Sequence, residues 1–131
     1  NSGNDGLDLM ESKALIKDSS INYSSDKGIS VGENSEIKIL NSKFSYNEVG
    51  IASKDSSEAE IINSYFSNNK THLNVYKKNW RYGESGKIFA KNSEFKKSNN
   101  NFLSDKTGII IIENSNYSKK INSSENVIIR K

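Results

Sequence analysis

The sequence predicts an all-β fold, a right-handed single-stranded parallel β-helix of about five rungs of about 22 residues, with three parallel sheets. Three observations support this prediction. A motif recurs at a nearly constant spacing, apolar residues alternate with polar ones inside each repeat, and an Asn-Ser pair recurs in phase with both. A unit of three short strands cannot bury its own apolar face, so successive units must stack into one core.

The composition agrees with strands joined by polar turns. The 131 residues are 33% hydrophobic and contain no Pro and no Cys. Ile dominates the apolar residues, while Ser and Asn are abundant. The net charge of +3 is spread along the chain, and no long apolar run occurs. We therefore expect neither nucleic-acid binding nor membrane insertion.

The first strand of each rung begins with Ile, Leu or Phe, and in the first three rungs a Gly precedes it. The rungs start near Leu7, Ile29, Ile51, Leu73 and Phe102. The first three steps are 22 residues long and the last is 29. We expect a single β-helix domain over residues 1–131, with a loop inserted into the fourth rung at about residues 78–87.

The second strand of each rung has apolar residues at alternate positions, which is typical of a strand with one buried face. The alternating pairs are Ala14/Ile16, Ile37/Ile39, Ala59/Ile61, Ile88/Ala90 and Ile110/Ile112. Their side chains are expected to form inward columns.

An Asn or Asp separates the second strand from the third. This column consists of Asp18, Asn41, Asn63, Asn92 and Asn114. These residue types tolerate left-handed backbone geometry, and an amide side chain can bond to its copy in the next rung. The column therefore predicts a structural ladder, followed three residues later by inward side chains, mostly aromatic: Ile21, Phe44, Phe66, Phe95 and Tyr117.

The inserted loop is the one aromatic-rich segment of the chain. It brings together Tyr76, Trp80, Arg81 and Tyr82. Aromatic faces beside hydrogen-bonding groups suit sugar rings, and Arg suits an acidic sugar. The alternative is a loop that folds back over the outer surface, with Trp80 as its anchor.

The two ends of the repeat lack an evident cap. The chain opens without an amphipathic segment, and the repeat becomes irregular after Tyr117, where residues 127–129 could form a last strand. Uncapped solenoid ends expose strand edges. We expect a fragment of a longer protein, or a chain that self-associates end to end or side by side.

The in-phase Asn-Ser pairs, the inward Ile and Phe columns and the Gly-Ile starts make the sequence resemble the pectate-lyase-like right-handed parallel β-helix superfamily, within the bacterial β-helix repeat proteins. The resemblance covers about residues 5–118. It implies an extracellular or cell-surface location and no single activity, because the superfamily includes lyases, glycoside hydrolases, epimerases, phage tailspikes and non-catalytic surface modules. Where activity exists, the resemblance places it on the outward side of the first strand and the turn after it.

One outward column at that turn carries charge: Glu11, Glu33, Asp55, Lys77 and Lys106. Carboxylates stacked about 5 Å apart repel each other unless a cation or a lysine neutralises them, and such oxygen-rich clusters can bind Ca²⁺. The three acidic residues are therefore candidate calcium ligands; we expect no bound cofactor, and Ca²⁺ is the one candidate. The alternative is a ladder of solvated turn residues.

Two functional hypotheses follow. The first is a non-catalytic module that presents a surface to a polysaccharide or a surface protein. The second follows from the resemblance: a calcium-assisted lyase acting on acidic polysaccharide, in which Lys54, Lys77 or Arg81 removes the proton. His72 is the only histidine, which excludes a multi-His zinc site, and we expect it to be an exposed turn residue.

Overall fold

The computed structural model describes residues 5–79, 81, 83–118 and 126–131, together with the backbone of residues 122–123. The predicted fold is confirmed: a right-handed β-helix built from three parallel sheets. The strands are numbered in chain order. In the described ranges there is no helix long and apolar enough to cross a membrane.

Sheet 1 is formed by the first strand of each rung. Its strands are β1 (Leu7–Leu9), β4 (Lys27–Val31), β7 (Val49–Lys54), β10 (Thr71–Tyr76), β13 (Asn100–Ser104) and β16 (Asn122–Ser123). Leu7, Ile29, Ile51, Leu73 and Phe102 are register partners from rung to rung. The additional residues of the fourth rung lie between β10 and the next strand of sheet 2.

Sheets 2 and 3 complete each rung. Sheet 2 contains β2 (Lys13–Lys17), β5 (Glu36–Leu40), β8 (Glu58–Ile62), β11 (Lys87–Lys91), β14 (Ile109–Glu113) and β17 (Val127–Arg130). Sheet 3 contains β3 (Ser20–Asn22), β6 (Lys43–Ser45), β9 (Tyr65–Ser67), β12 (Glu94–Lys96) and β15 (Asn116–Tyr117). Strand β17 includes the apolar residues 127–129 and pairs in parallel with β14.

The core is a set of apolar columns along the axis. Ile39, Ile61 and Ile110 are fully buried in sheet 2. In sheet 3 the rings of Phe44 and Phe66 stack with centroids 4.8 Å apart, and those of Phe66 and Phe95 with centroids 4.9 Å apart. Each buried aromatic or Ile side chain stabilises the fold by about 1.5–3 kcal/mol.

The turn between sheets 2 and 3 depends on both members of the Asn-Ser pair. The first member has left-handed geometry in every rung: Asp18, Asn41, Asn63, Asn92 and Asn114 have φ between 47° and 52°. The second member forms the continuous ladder, because its hydroxyl accepts the amide of the previous rung's Ser, as in Ser64 Oγ to Ser42 N at 3.2 Å. Asn114 also donates to the Asn92 side chain. The Asn column thus sets the turn, and the Ser column links the rungs.

The glycine column at the start of the sheet 1 strands faces inward. A Cβ on Gly28 would lie 2.6 Å from the carbonyl oxygen of Gly50, and a Cβ on Gly50 would lie 3.1 Å from the Phe66 ring. These positions therefore require Gly because neighbouring rungs approach closely. His72, which follows in the same column, is 0% exposed, so the expectation of an exposed histidine was wrong.

His72 is held by a buried amide and two aromatic rings. Asn69 Nδ2 donates to His72 Nδ1 at 3.1 Å. The ring lies 6.0 Å from Phe66 and 5.8 Å from Phe95, centroid to centroid. Burial lowers the pKa of His72 to about 4, although the nearby backbone carbonyl of Lys96 opposes the shift. His72 is therefore a neutral core residue at physiological pH.

Candidate functional site

The outward charged column lies at the turn after each strand of sheet 1. Glu11 is exposed, Glu33 is half-buried and Asp55 is 0% exposed. The amide of Glu11 donates to the carbonyl of Glu33 at 2.7 Å, so backbone bonds stack these turns. The carboxylates, by contrast, differ widely in their exposure to solvent.

Asp55 anchors the start of the inserted loop. Its Oδ1 accepts the amides of Lys78 at 2.8 Å and Asn79 at 2.7 Å. Its Oδ2 is buried and has no hydrogen-bond partner among the described residues. The Asp55 carboxylate therefore holds backbone in place, which is a structural role.

The predicted calcium ligands do not come together. Within the ranges that the structure describes, no three His, Asp or Glu side chains converge as a set that could hold a metal ion. The reason is geometric, because Asp55 is buried against the loop amides whereas Glu11 is exposed.

The candidate proton acceptors are dispersed. Lys54 is half-buried, and its Cε lies 3.3 Å from where a Cβ on Gly32 would be. Lys77 is exposed, and its Nζ donates to the carbonyl of Gly83 at 2.9 Å. Arg81 is exposed, and its amide donates to Asn79 Oδ1 at 3.1 Å. Lys77 and Arg81 therefore lie in the loop, and Lys54 packs over the preceding turn.

A second carboxylate, Asp105, fixes the loop from the following rung. Its Oδ2 accepts the amide of Lys77 at 2.8 Å, and its Oδ1 accepts the amide of Gly108 at 3.0 Å. Burial raises the pKa of Asp105, but the nearby Ser85 hydroxyl and the backbone amides of Lys77, Thr107 and Gly108 outweigh that effect and leave the pKa below its usual value. Asp105 is thus an ionised anchor and not a proton donor.

Tyr76 is half-buried and interacts with Lys27, at the opposite end of the sheet 1 strands. Burial raises the pKa of the Tyr76 phenol, and Lys27 partly opposes this. Lys27 Nζ also pairs with Asp26 at 3.0 Å. Tyr76 therefore extends across the outer face of sheet 1. Trp80 and Tyr82, the other aromatic residues of the predicted binding loop, lie outside the described residues.

The outer face of sheet 2 is a shallow surface crossed by ion pairs between rungs. Lys38 Nζ lies 3.4 Å from Glu60, and Lys91 Nζ lies 3.8 Å from Glu113. Exposed pairs of this kind contribute about 0–1 kcal/mol each. These ion pairs join register partners on neighbouring strands, so their role within the chain is to stabilise the strand register and not to form a binding site.

The sequence analysis missed the turn between sheet 3 and the next strand of sheet 1. Tyr23 and Tyr46 have φ of 61° and 56°, and their exposed rings stack. Behind them, the buried side chains of Asn47 and Asn69 hydrogen-bond to each other at 3.1 Å. The step of 23 residues from Tyr23 to Tyr46 matches the step from Ile21 to Phe44, which was the available signal.

The comparisons with known proteins agree with this architecture. A family model described as "Right handed beta helix region" matches residues 1–130. No curated protein and no solved structure matches the chain.

Proposed function

The chain belongs to the right-handed β-helix family, and from this premise we propose that it is a non-catalytic module of a secreted or cell-surface protein that presents a glycan- or protein-binding surface. The proposed surface is the inserted loop of the fourth rung, which contains Trp80, Arg81 and Tyr82. A binding loop on a rigid scaffold is a common arrangement, since the scaffold fixes the loop at both ends.

The observation that carries this proposal is the use of buried Asp55 as a loop anchor. The Asp55 carboxylate accepts two loop amides, and Asp105 fixes the loop through Lys77. The acidic residues closest to the loop therefore hold its conformation. Backbone that is anchored at Lys77, Lys78 and Asn79 has less conformational entropy to lose on binding, which favours affinity.

The alternative, a calcium-assisted lyase, requires a metal-binding cluster and a proton acceptor beside it. Its ligands would be Glu11, Glu33 and Asp55. Glu11 is exposed, Glu33 is half-buried and Asp55 is fully buried, and this difference favours the binding module. The two functions are distinguished by adding calcium to the chain and measuring its melting temperature, then incubating it with polygalacturonate. A rise in melting temperature together with unsaturated uronate product would establish the lyase.

The binding proposal is tested with Trp80→Ala and Arg81→Ala, measured against immobilised neutral and acidic polysaccharides. We expect both variants to bind less, with unchanged far-ultraviolet circular dichroism. Arg81 is exposed, so Arg81→Ala should fold normally and keeps the test valid if Trp80→Ala misfolds. Lys106→Ala, an exposed change in the following rung, is the control. Unchanged binding in both loop variants would refute the loop as the binding surface.

A further inference from the structure

The outer face of sheet 2 carries an apolar patch in the fourth, fifth and sixth rungs. Phe89, Ile111 and Ile128 follow one another in the same outward column, and Ile109 lies on the same face of β14 as Ile111. Ile128 is 40% exposed, and the other three side chains are partly exposed. Contiguous apolar side chains on a solvent-facing strand surface indicate an interaction surface.

The patch is not a general property of the solenoid surface. The outward residues of sheet 3 belong to the same stack of rungs, and all of its strands lie in the described ranges. Tyr65 alone among them is aromatic or aliphatic, and the set is Ser20, Asn22, Lys43, Ser45, Tyr65, Ser67, Glu94, Lys96 and Asn116. The outward apolar side chains are therefore concentrated on sheet 2, although the two faces are built from the same repeat.

Charged residues border the patch in an order that is complementary to itself. Lys91 of the fourth rung and Glu113 of the fifth are register partners, and Lys91 Nζ lies 3.8 Å from the Glu113 carboxylate. The two side chains remain 47% and 30% exposed, so each can contact a second opposite charge. An apolar centre beside one basic rung and one acidic rung suits an isologous interface, in which two copies use the same patch.

The charges favour one of the two twofold arrangements in which these faces can meet with aligned strands. A twofold axis parallel to the strands, between the fourth and fifth rungs, places each of these rungs against the other rung of the second copy. Phe89 then faces Ile111 of the second copy, and Lys91 faces Glu113 of the second copy, across the roughly 10 Å that separates packed sheets. A twofold axis along the solenoid would instead place Lys87 against Lys91 of the second copy, which is repulsive.

We propose that two copies of this chain pack through the outer faces of sheet 2, with their solenoid axes antiparallel. A groove of about 570 Å³ on this face, lined at its apolar end by Phe89, Ile109 and Ile111, gives the opposing side chains room to pack. Because the twofold axis is parallel to the strands, the inserted loops of both copies lie at the same edge of the dimer. The interface goes beyond the proposed function and does not depend on it.

Sedimentation equilibrium of the whole chain from about 10 µM to about 1 mM tests the dimer, because a patch of this size supports weak association. We expect reversible dimerisation, which Ile111→Lys should weaken by about tenfold or more, since it places a cation in the apolar centre. The melting temperature should not change, because Ile111 faces outward. Tyr65→Lys, the same type of change on the outer face of β9, is the matched control and should dimerise normally.

Exchanging the charges tests the orientation and remains informative if Ile111→Lys misfolds. Lys91→Glu opposes two carboxylates across the interface, and Glu113→Lys opposes two ammonium groups, so each variant alone should dimerise more weakly by about tenfold or more. An equimolar mixture of the two variants should dimerise like the unaltered chain, because both contacts between the copies then join opposite charges. A chain that stays monomeric over the whole concentration range, or a mixture no more associated than its components, would overturn the proposal. Stronger association of Lys91→Glu alone would contradict it as well, since that result requires the other twofold arrangement.

Discussion

At the scale of single residues, the residue type at a position depends on whether that position faces the core and on how closely the next rung approaches. Gly50 and His72 share a column that points at the Phe66 ring. A histidine in a glycine column suggested an exposed turn, because sequence spacing reports the column and not its direction. The left-handed geometry of the Asn column was predictable, because Asn and Asp tolerate it better than other residues. Tyr23, Tyr46 and Lys97 have the same geometry without such a signal in their residue type.

The buried neutral state of His72 makes stability depend on pH. Its pKa is about 4 in the folded chain, against an ordinary 6.5. Between these two pH values His72 binds a proton in the unfolded chain but not in the folded chain. The contribution of His72 to the free energy of unfolding is therefore complete above about pH 6.5 and is lost as the pH falls to about 4. The loss is at most about 3 kcal/mol. His72→Asn, which copies Asn101 in the next rung, should remove this part of the pH dependence.

Urea denaturation of both chains at about pH 7 and about pH 4 measures this effect. The stabilising contribution of Asp105 also falls in acid, but it falls equally in the unaltered chain and in His72→Asn. The difference in pH dependence between the two chains therefore reports His72 alone. Identical pH dependence in the two chains would show that His72 does not titrate as described.

The left-handed turn residue gives a second prediction at this scale. Asn63 is exposed and has φ of 51°. Asn63→Ala should lower the free energy of unfolding by about 1 kcal/mol relative to Asn63→Gly, because only glycine escapes the left-handed penalty. Equal unfolding free energies in urea would mean that this turn is not under backbone constraint.

At the scale of elements, strands were more predictable than turns. The inward positions of sheet 2 alternate in successive rungs, so Ile37 and Ile39 each predicted one inward column. The turn before sheet 1 has no such alternation. One of its positions is filled in successive rungs by buried Ser24, Asn47 and Asn69 and by half-buried Ser98. The loop anchor is equally hidden, since the position of Asp55 in the repeat predicts an outward charge.

The loop anchor predicts unequal effects for two substitutions at one position. Asp55→Ala removes the acceptor of the Lys78 and Asn79 amides and should destabilise the chain by about 2 kcal/mol. Asp55→Asn keeps an oxygen acceptor and should cost less. Hydrogen exchange at these two amides, followed with the melting temperature, reports the anchor directly. Unaltered protection of both amides in Asp55→Ala would mean that Asp55 does not hold the loop.

At the scale of the whole molecule, the rungs share one continuous core whose burial is deepest in the middle. Phe66 is fully buried between two stacked rings, whereas Ile21, in the first rung of the same column, is only partly buried. The 22-residue period predicted this architecture, because a repeat that cannot bury itself has to stack. The proposed binding surface could not be derived in the same way, since the inserted loop lies where the repeat is interrupted.

Position along the axis should therefore decide the cost of a core truncation. We expect Phe66→Ala to lower the free energy of unfolding by about 3–5 kcal/mol, and Ile21→Ala by clearly less, about 1–2 kcal/mol. Guanidinium denaturation compares the two variants with the unaltered chain. A cost at Ile21 equal to that at Phe66 would contradict the stacked core.

The central claim is that this β-helix binds glycan without transforming it, and a residue-resolved NMR titration with oligogalacturonate and cello-oligosaccharide tests it most directly. The same spectra report the protein amides and the integrity of the sugar. The account predicts shifts confined to the inserted loop around Arg81, with unchanged sugar signals. Signals of an unsaturated uronate product, or no amide shift with either sugar, would contradict it.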